Sequence, residues 1–347
     1  YKDYQFYYFI LDEAQYIKNQ STKNAQAVKL INGKYRFALT GTPIENSLAE
    51  LWSIFDFLMP QYLYNYHHFK ETYEIPIIKN EDQEKQAKLK RFVEPFILRR
   101  TKKDVLTELP DKIENNVLIP FTPDEEKVYL ANLSTINTEL QSAIQVNHID
   151  KIQILAMMTR LRQLCCDQRI LYNNVQEPSS KLKACMDIIE TAKENEQKVL
   201  LFSSFTKSLD LIEAELRKKD ISYYVLTGAT TKIKRHQLVN AFQNDKTTVF
   251  LISLKAGGTG LNLTSASTVI HFDPWWNMSA QNQATDRAYR IGQTNNVQVY
   301  KLIMKNSIEE KIQKLQEQKQ DLSNMFIENN HGSITQMSTA DIIDLFK

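Results

Sequence analysis

At 347 residues the chain exceeds one ordinary domain, and two or more are expected. Apolar residues make up 42% and charged residues 24%, an ordinary soluble balance. The net charge is only +2, which excludes a global basic field and leaves any nucleic-acid contact to local clusters.

Taken in chain order, Tyr7 to Leu11 is a short aromatic and apolar run that predicts a buried strand. Asp12-Glu13-Ala14-Gln15 follows where that strand ends, the place where open α/β sheets gather ligands. Two adjacent carboxylates there can divide the work. Asp12 can hold Mg²⁺, mostly through water, while Glu13 orients or deprotonates an attacking water. Taken by itself, such a pair more often marks a solvated acidic turn. A second strand, Tyr35 to Leu39, runs into Thr40-Gly41-Thr42-Pro43, a tight turn. Ser47 and Glu50 have capping-box spacing before a helix with Leu48, Leu51, Trp52, Phe55 and Leu58 on one face, ended by Pro60.

From about 61 to 180 helical periods dominate. His67 and His68 would point apart on a helix, and the six histidines form no HxxxH or HxH set, so no metal site is expected there. Arg99-Arg100-Thr101-Lys102-Lys103 is a basic knot that reads first as a surface face. Thr122, Pro123 and Glu125 signal another helix start. Ile154 to Leu164 is amphipathic and carries Arg160 and Arg162. The three cysteines, Cys165, Cys166 and Cys185, lack zinc spacing and read as buried free thiols. Glu177 to Ser180 is the linker candidate.

Strands and helices then alternate. Strands are predicted at Val199–Phe202, Tyr223–Leu226, Val249–Ile252, Val269–Phe272 and Val297–Ile303, with helices at Lys207–Lys218, Lys234–Phe242 and Ala280–Tyr289. This pattern predicts an α/β class: a parallel sheet covered by helices on both faces. Of only eight glycines in the chain, Gly257, Gly258 and Gly260 fall around Thr259, after an apolar strand. Arg287 and Arg290 are expected one helical turn apart, and this glycine-then-arginine order suggests a site that handles phosphates. The tail from Ile308 reads as a long helix with Ile308, Ile312, Leu315 and Leu322 spaced for core packing or for a partner coiled coil. No apolar run reaches the roughly 18 residues of a membrane span, and no signal peptide is visible.

ILDEAQYIKN, ALTGTPIENSLAELWSIFDFLMP, FILRRTKKDVLTELPDK, TRLRQLCCD, KVLLFSSFTKSLDLIEAEL, GGTGLNLTSASTVIHFDPWWN and QATDRAYRIGQ occur in that order. In these blocks the chain resembles the SWI/SNF-type family of helicase-like, DNA-dependent ATPases in helicase superfamily two, over nearly its whole length. The resemblance implies two RecA-like lobes with helical insertions. Residues 1–44 would be a remnant of the first lobe and 45–116 its helical insertion. Residues 117–180 would be the second-lobe insertion, 181–306 the second lobe and 307–347 a helical extension.

The resemblance also implies roles. Asp12 matches the Mg²⁺ ligand and Glu13 the water-activating carboxylate. Gln15, Thr40, Gly41 and Thr42 match positions that couple nucleotide state to the other lobe. Arg287 and Arg290 match arginines that reach across the cleft to ATP phosphates, with Gln283 and Asp286 in the same motif. Gly257, Gly258, Thr259 and Gly260 match a motif near the DNA track, braced by Trp275 and Trp276, for which plain core packing is the other reading. ATP, Mg²⁺ and double-stranded DNA are the implied ligands, a DNA-bound protein a possible target, and no membrane partner is implied. The location would be cytoplasmic and nucleoid-associated in a prokaryote or nuclear in a eukaryote, with a lean to the former.

No GxxxxGK[ST] occurs in the sequence. In the family the phosphate-cradling loop precedes the position of Asp12. The chain is therefore expected to be the C-terminal part of a longer protein and inactive alone. Two other classes stay open: a non-catalytic module that docks DNA or a protein, and a superfamily-two RNA helicase. The helical insertions and RAYRIGQ argue against the second.

Overall fold

The structure, a computed structural model, describes residues 1–41, 48–80, 82–98, 100, 102–106, 108–145, 151–257, 260–275 and 278–314. They divide into two compact units, Tyr1–Val105 and a second starting at Leu106.

In the first unit, β1 (Gln5–Leu11) and β2 (Asn32–Ala38) pair in parallel, with Tyr8 opposite Tyr35 and Ile10 opposite Phe37. Helix α1 (Lys23–Lys29) connects them, its N-terminus capped by Thr22, whose hydroxyl accepts from the Ala25 N–H. Helix α2 (Leu48–Leu58) lies on the same face as α1 and stops before Pro60, as its pattern predicts. Ser47, the expected cap, lies outside the described residues. Phe9 and Leu11 pack with Ile17, Ala25 and Phe57, and the Phe9 and Phe57 rings meet edge-on at 5.2 Å. On the opposite sheet face, Tyr8, Ile10, Tyr35, Phe37 and Leu39 are 44–57% exposed, and no other described core residue packs there. A separate core of Leu51, Trp52, Phe55, Phe69, Tyr73 and Leu89 joins α2 to α3 (Tyr66–Phe69), a π-helical segment (Lys70–Glu74), α4 (Ile75–Asn80) and α5 (Gln83–Val93). His67 and His68 are exposed on α3. Short α6 (Lys102–Val105) carries what is described of the basic knot beyond Arg100; Arg99 and Thr101 lie outside.

The second unit is built on six parallel strands: β3 (Lys112–Ile119), β4 (Lys198–Ser203), β5 (Tyr223–Leu226), β6 (Val249–Ser253), β7 (Ala266–His271) and β8 (Val297–Met304). Their spatial order is β3-β8-β7-β4-β6-β5. Side chains alternate between two cores. Val199, Leu201, Leu251 and Ile270 face the core lined by α7 (Pro123–Gln145), α8 (Lys151–Cys166), α9 (Ser180–Glu194) and α10 (Thr206–Lys218). Leu200, Phe202, Phe250 and Val269 face the core lined by α11 (Lys232–Asn244), α12 (Leu254–Gly257) and α13 (Met278–Thr285). Burial on both faces is why these strands read as unbroken apolar runs.

Four details differ from the sequence reading. Strand β3 falls inside the stretch read as helical and crosses the expected 116/117 division, and the contact boundary lies at Val105/Leu106. Ser179, expected in a linker, is buried. Its N–H donates to Asp167 and its hydroxyl caps α9, so α8 and α9 share one core. Helix α13 ends at Thr285, so Arg287 and Arg290 follow it in turns rather than standing on it. The run Tyr7 to Leu11, expected to be buried, leaves Tyr7, Tyr8 and Ile10 exposed. Of the tail, Ile308 and Ile312 are buried in the second unit's core, as the core-packing reading expects, while Leu315 and Leu322 lie outside the described residues. The capping box at α7 is present as expected: Thr122 N–H donates to Glu125 Oε2 (2.7 Å), and the Glu125 N–H donates back to Thr122 Oγ1 (3.4 Å). Cys165, Cys166 and Cys185 are buried free thiols, and burial pushes each pKa well above the ordinary thiol range. Among the described residues, no helix is long and apolar enough to cross a membrane.

Candidate functional site

Parallel pairing sets the carboxyl ends of β1 and β2 side by side, with Leu11 opposite Ala38. The Leu39 N–H donates to Leu11 O (2.7 Å) and the Ala14 N–H to Leu39 O (2.9 Å), so the two following turns are stitched together. This brings Asp12, Glu13, Gln15 and Thr40 into one cluster. Asp12 is exposed, and its Oδ1 accepts from the Glu13 N–H (2.9 Å). Glu13 has φ 52° and ψ 52°, a left-handed conformation that is uncommon for a glutamate. Backbone of this kind costs about 1–3 kcal/mol and persists where surrounding contacts over-determine it. Here the Gln15 amide donates to Glu13 Oε2 (2.6 Å), and Gln15 Oε1 accepts from the Thr40 hydroxyl (2.8 Å). Gly41 is exposed, and Thr42 lies outside the described residues.

Among the described residues no group of three His, Cys, Asp or Glu side chains could hold a metal. A single exposed carboxylate such as Asp12 is compatible with Mg²⁺, which keeps several waters and needs only one or two carboxylates beside substrate phosphates.

In the second unit, Gly257 closes α12 and is buried; an added Cβ would lie 3.0 Å from Phe202 Cε1, so the bare backbone permits this close packing. Gly260 adopts φ +33° and is exposed. Gly258 and Thr259 lie outside the described residues. Helix α12 packs against α13. Beyond α13, Arg287 is buried, with its carbonyl accepting from the Leu263 N–H (2.9 Å), whereas Arg290 is exposed. The two arginines thus occupy different environments. Gln283 and Asp286 are half-buried. Trp275 is half-buried against the core, and Trp276 lies outside the described residues.

One constellation has no local signal in the sequence. Asp273, in the turn after β7, is 4% exposed. It accepts from Ser203 Oγ (2.5 Å), from the Ser204 N–H (3.0 Å) and from Arg162 Nη2 (3.1 Å). Arg162 comes from α8, 111 positions earlier. It also donates to Pro274 O (2.9 Å) and lies near the Phe205 and Trp275 rings, at 5.1 and 5.3 Å.

Residues 1–170 match the SNF2-related domain and 180–292 the helicase conserved C-terminal domain. The chain is 38% identical to the Sulfolobus solfataricus SWI2/SNF2 ATPase core solved in complex with dsDNA, covering 99% of this chain and 73% of that one, with a TM-score of 0.57. It is 39% identical to an uncharacterised ATP-dependent helicase of Mycoplasma pneumoniae, over 99% of this chain and 33% of that protein. It is 38% identical to a putative ATP-dependent helicase/translocase of Bacillus subtilis, over 97% of this chain and 37% of that protein. The chain thus spans about a third of the length of these curated relatives. With both domains matched in order and a helix-covered parallel sheet in common, the chain belongs to the SNF2-related family of helicase-like ATPases.

Proposed function

We propose that this chain is the C-terminal part of an ATP-dependent translocase that tracks double-stranded DNA and remodels what is bound there. The Thr40–Gln15–Glu13 hydrogen-bond chain carries the reading, because it fixes a carboxylate at the carboxyl ends of two parallel strands. Glu13 orients the attacking water and accepts its proton. Asp12 holds Mg²⁺, which when bound neutralises charge on the transferring phosphates. Gln15, Thr40, Gly41 and Thr42 report nucleotide state to the rest of the protein. Arg287 and Arg290 contribute cations to the phosphates, with Gln283 and Asp286 beside them. Arg290 meets ligand from solvent, while Arg287 is preset by its buried surroundings. Gly257, Gly258, Thr259, Gly260, Trp275 and Trp276 are assigned to DNA contact, where backbone-phosphate contacts suit a motor that carries no base code.

ATP turnover on this reading also needs a phosphate-cradling loop, and no GxxxxGK[ST] is present in these residues. The bare face of the β1–β2 sheet supports the same conclusion. Parallel sheets are covered on both faces, and Tyr8, Ile10, Phe37 and Leu39 await such cover. The loop-bearing stretch of the same polypeptide is the occupant.

The test is ATP hydrolysis by the polypeptide that joins this chain to such a loop, assayed with duplex DNA and with single-stranded RNA. Duplex stimulation, abolished by Glu13→Gln, is expected, with negligible turnover by residues 1–347 alone. Stimulation by RNA only, or robust turnover by these residues alone, overturns the reading.

A further inference from the structure

We propose that Arg162 is a positioning residue for the Arg287–Arg290 segment, acting from the helical insertion through the Asp273–Trp275 turn. The proposal rests on the reading of those two arginines as phosphate contacts. Its basis is a continuous set of short contacts. Arg162 grips the turn at two points, Asp273 Oδ2 (3.1 Å) and Pro274 O (2.9 Å), while the Trp275 ring lies 5.3 Å from its guanidinium carbon. The Trp275 N–H donates to Gln281 Oε1 (3.3 Å), so the turn is tied to α13, and Gln281 is buried. Two further ties set the far end of that helix: His271 Nε2 with Thr285 Oγ1 (2.9 Å), and the Leu263 N–H to the Arg287 carbonyl (2.9 Å). The turn is thus the route by which α8 reaches the arginine segment.

The chemistry of the slot argues against simple filler. Arg162 is 3% exposed, and among the described residues its Nε has no hydrogen-bond partner. A methionine would fill the space between the Phe205 and Trp275 rings without stranding a polar atom. What only a guanidinium supplies is a planar fork that bonds a carboxylate and a carbonyl at once while its face meets a ring. Lysine carries the same charge but lacks that geometry.

The experiment uses the loop-bearing polypeptide with Arg162→Met and Arg162→Lys. It reads kcat and KM for ATP at saturating duplex DNA, and the thermal midpoint. Misplaced phosphate contacts act on the transition state, so kcat should fall about 10- to 100-fold in both variants. KM should stay within about twofold, because ground-state binding is untouched. Restoration of kcat by Arg162→Lys would show that charge alone is needed and overturns the proposal. So does a wild-type kcat in Arg162→Met, with or without a lowered midpoint. If Arg162→Met fails to fold, Arg162→Lys decides by the same criteria. A wild-type polypeptide without DNA-stimulated turnover brings down the underlying functional reading instead, which this control separates from failure of the arginine inference.

Discussion

Lys181 and Glu309 form an ion pair sealed from solvent, and removing the lysine exposes what that seal costs. Lys181, on α9, donates to both carboxylate oxygens of Glu309 at 2.7 and 2.5 Å, and both side chains are 0% exposed. Glu309 also accepts from the Met304 N–H at the end of β8 (2.9 Å), so the pair pins segment 308–314 to the sheet. Burial, the largest influence, pulls the Lys181 pKa down, while the charge and hydrogen bonds of Glu309, with Cys166 and Cys165 nearby, together raise it above its ordinary value. Burial pushes Glu309 up, against the pull of Lys181. Breaking a buried pair from one side costs about 3–5 kcal/mol, because the remaining charge has no counterion. Lys181→Met should therefore cost the second unit that much, a large part of the roughly 5–15 kcal/mol that holds a domain together. Replacing both partners, as Lys181→Met with Glu309→Leu, should return stability to within about 1–2 kcal/mol of wild type. The sign with pH follows. Without Lys181 the folded carboxyl titrates still higher than its unfolded value, so the folded state holds the extra proton. The deficit of Lys181→Met is then smallest at acidic pH and grows as pH rises through the shifted value. Urea unfolding read by tryptophan emission in a Trp52→Phe background isolates the second unit, where Trp275 and Trp276 lie. Equal losses in the single and double variants, or a deficit of Lys181→Met that does not vary with pH, refute the reasoning.

Burial, with a smaller push from Lys301, drives His271 down to about 3. Its stabilising share is present above the unfolded value near 6.5 and is lost toward pH 3 at about 1.4 kcal/mol per unit. Urea titrations at several pH values should show that slope in wild type and lose it in His271→Gln; an unchanged slope contradicts it. Thr40→Val removes the hydroxyl donor to Gln15 while keeping the shape, and should lower kcat of the loop-bearing polypeptide about three- to tenfold at constant KM, as steady-state assays will read.

The sequence made the central strands plain because β4, β6 and β7 are buried on both faces and must be apolar throughout. The α7 cap was equally legible, since Thr122 and Glu125 complete each other within four residues. Strand β3 was not. As an edge strand it turns Lys112, Glu114 and Asn116 outward, and its polarity comes from a surface ion pair of Glu114 with Lys301. The expected end of α13, Tyr289, lies four residues beyond its observed end at Thr285. The sequence periodicity continues through Tyr289, but Arg287 gives its carbonyl to Leu263, a tertiary bond that competes with the helical ladder. Arg162 and Asp273 lie in separate blocks of sequence, and nothing in either announces the other.

The left-handed Glu13 was also invisible, because its cause lies in another part of the chain. Glutamate carries no local preference for positive φ, unlike asparagine or glycine, so the conformation must be imposed. Two restraints act on it. The Ala14 N–H is bonded to Leu39 O, which fixes the peptide after Glu13, and the Gln15 amide holds the side chain. Both depend on the β2 turn, through Leu39 and through Thr40. A displacement of that turn would therefore release a conformation worth about 1–3 kcal/mol. The carboxylate would move with it. One strand end thereby restrains the conformation of its neighbour, so a change at Thr40 can reach Glu13 through Gln15 without touching it.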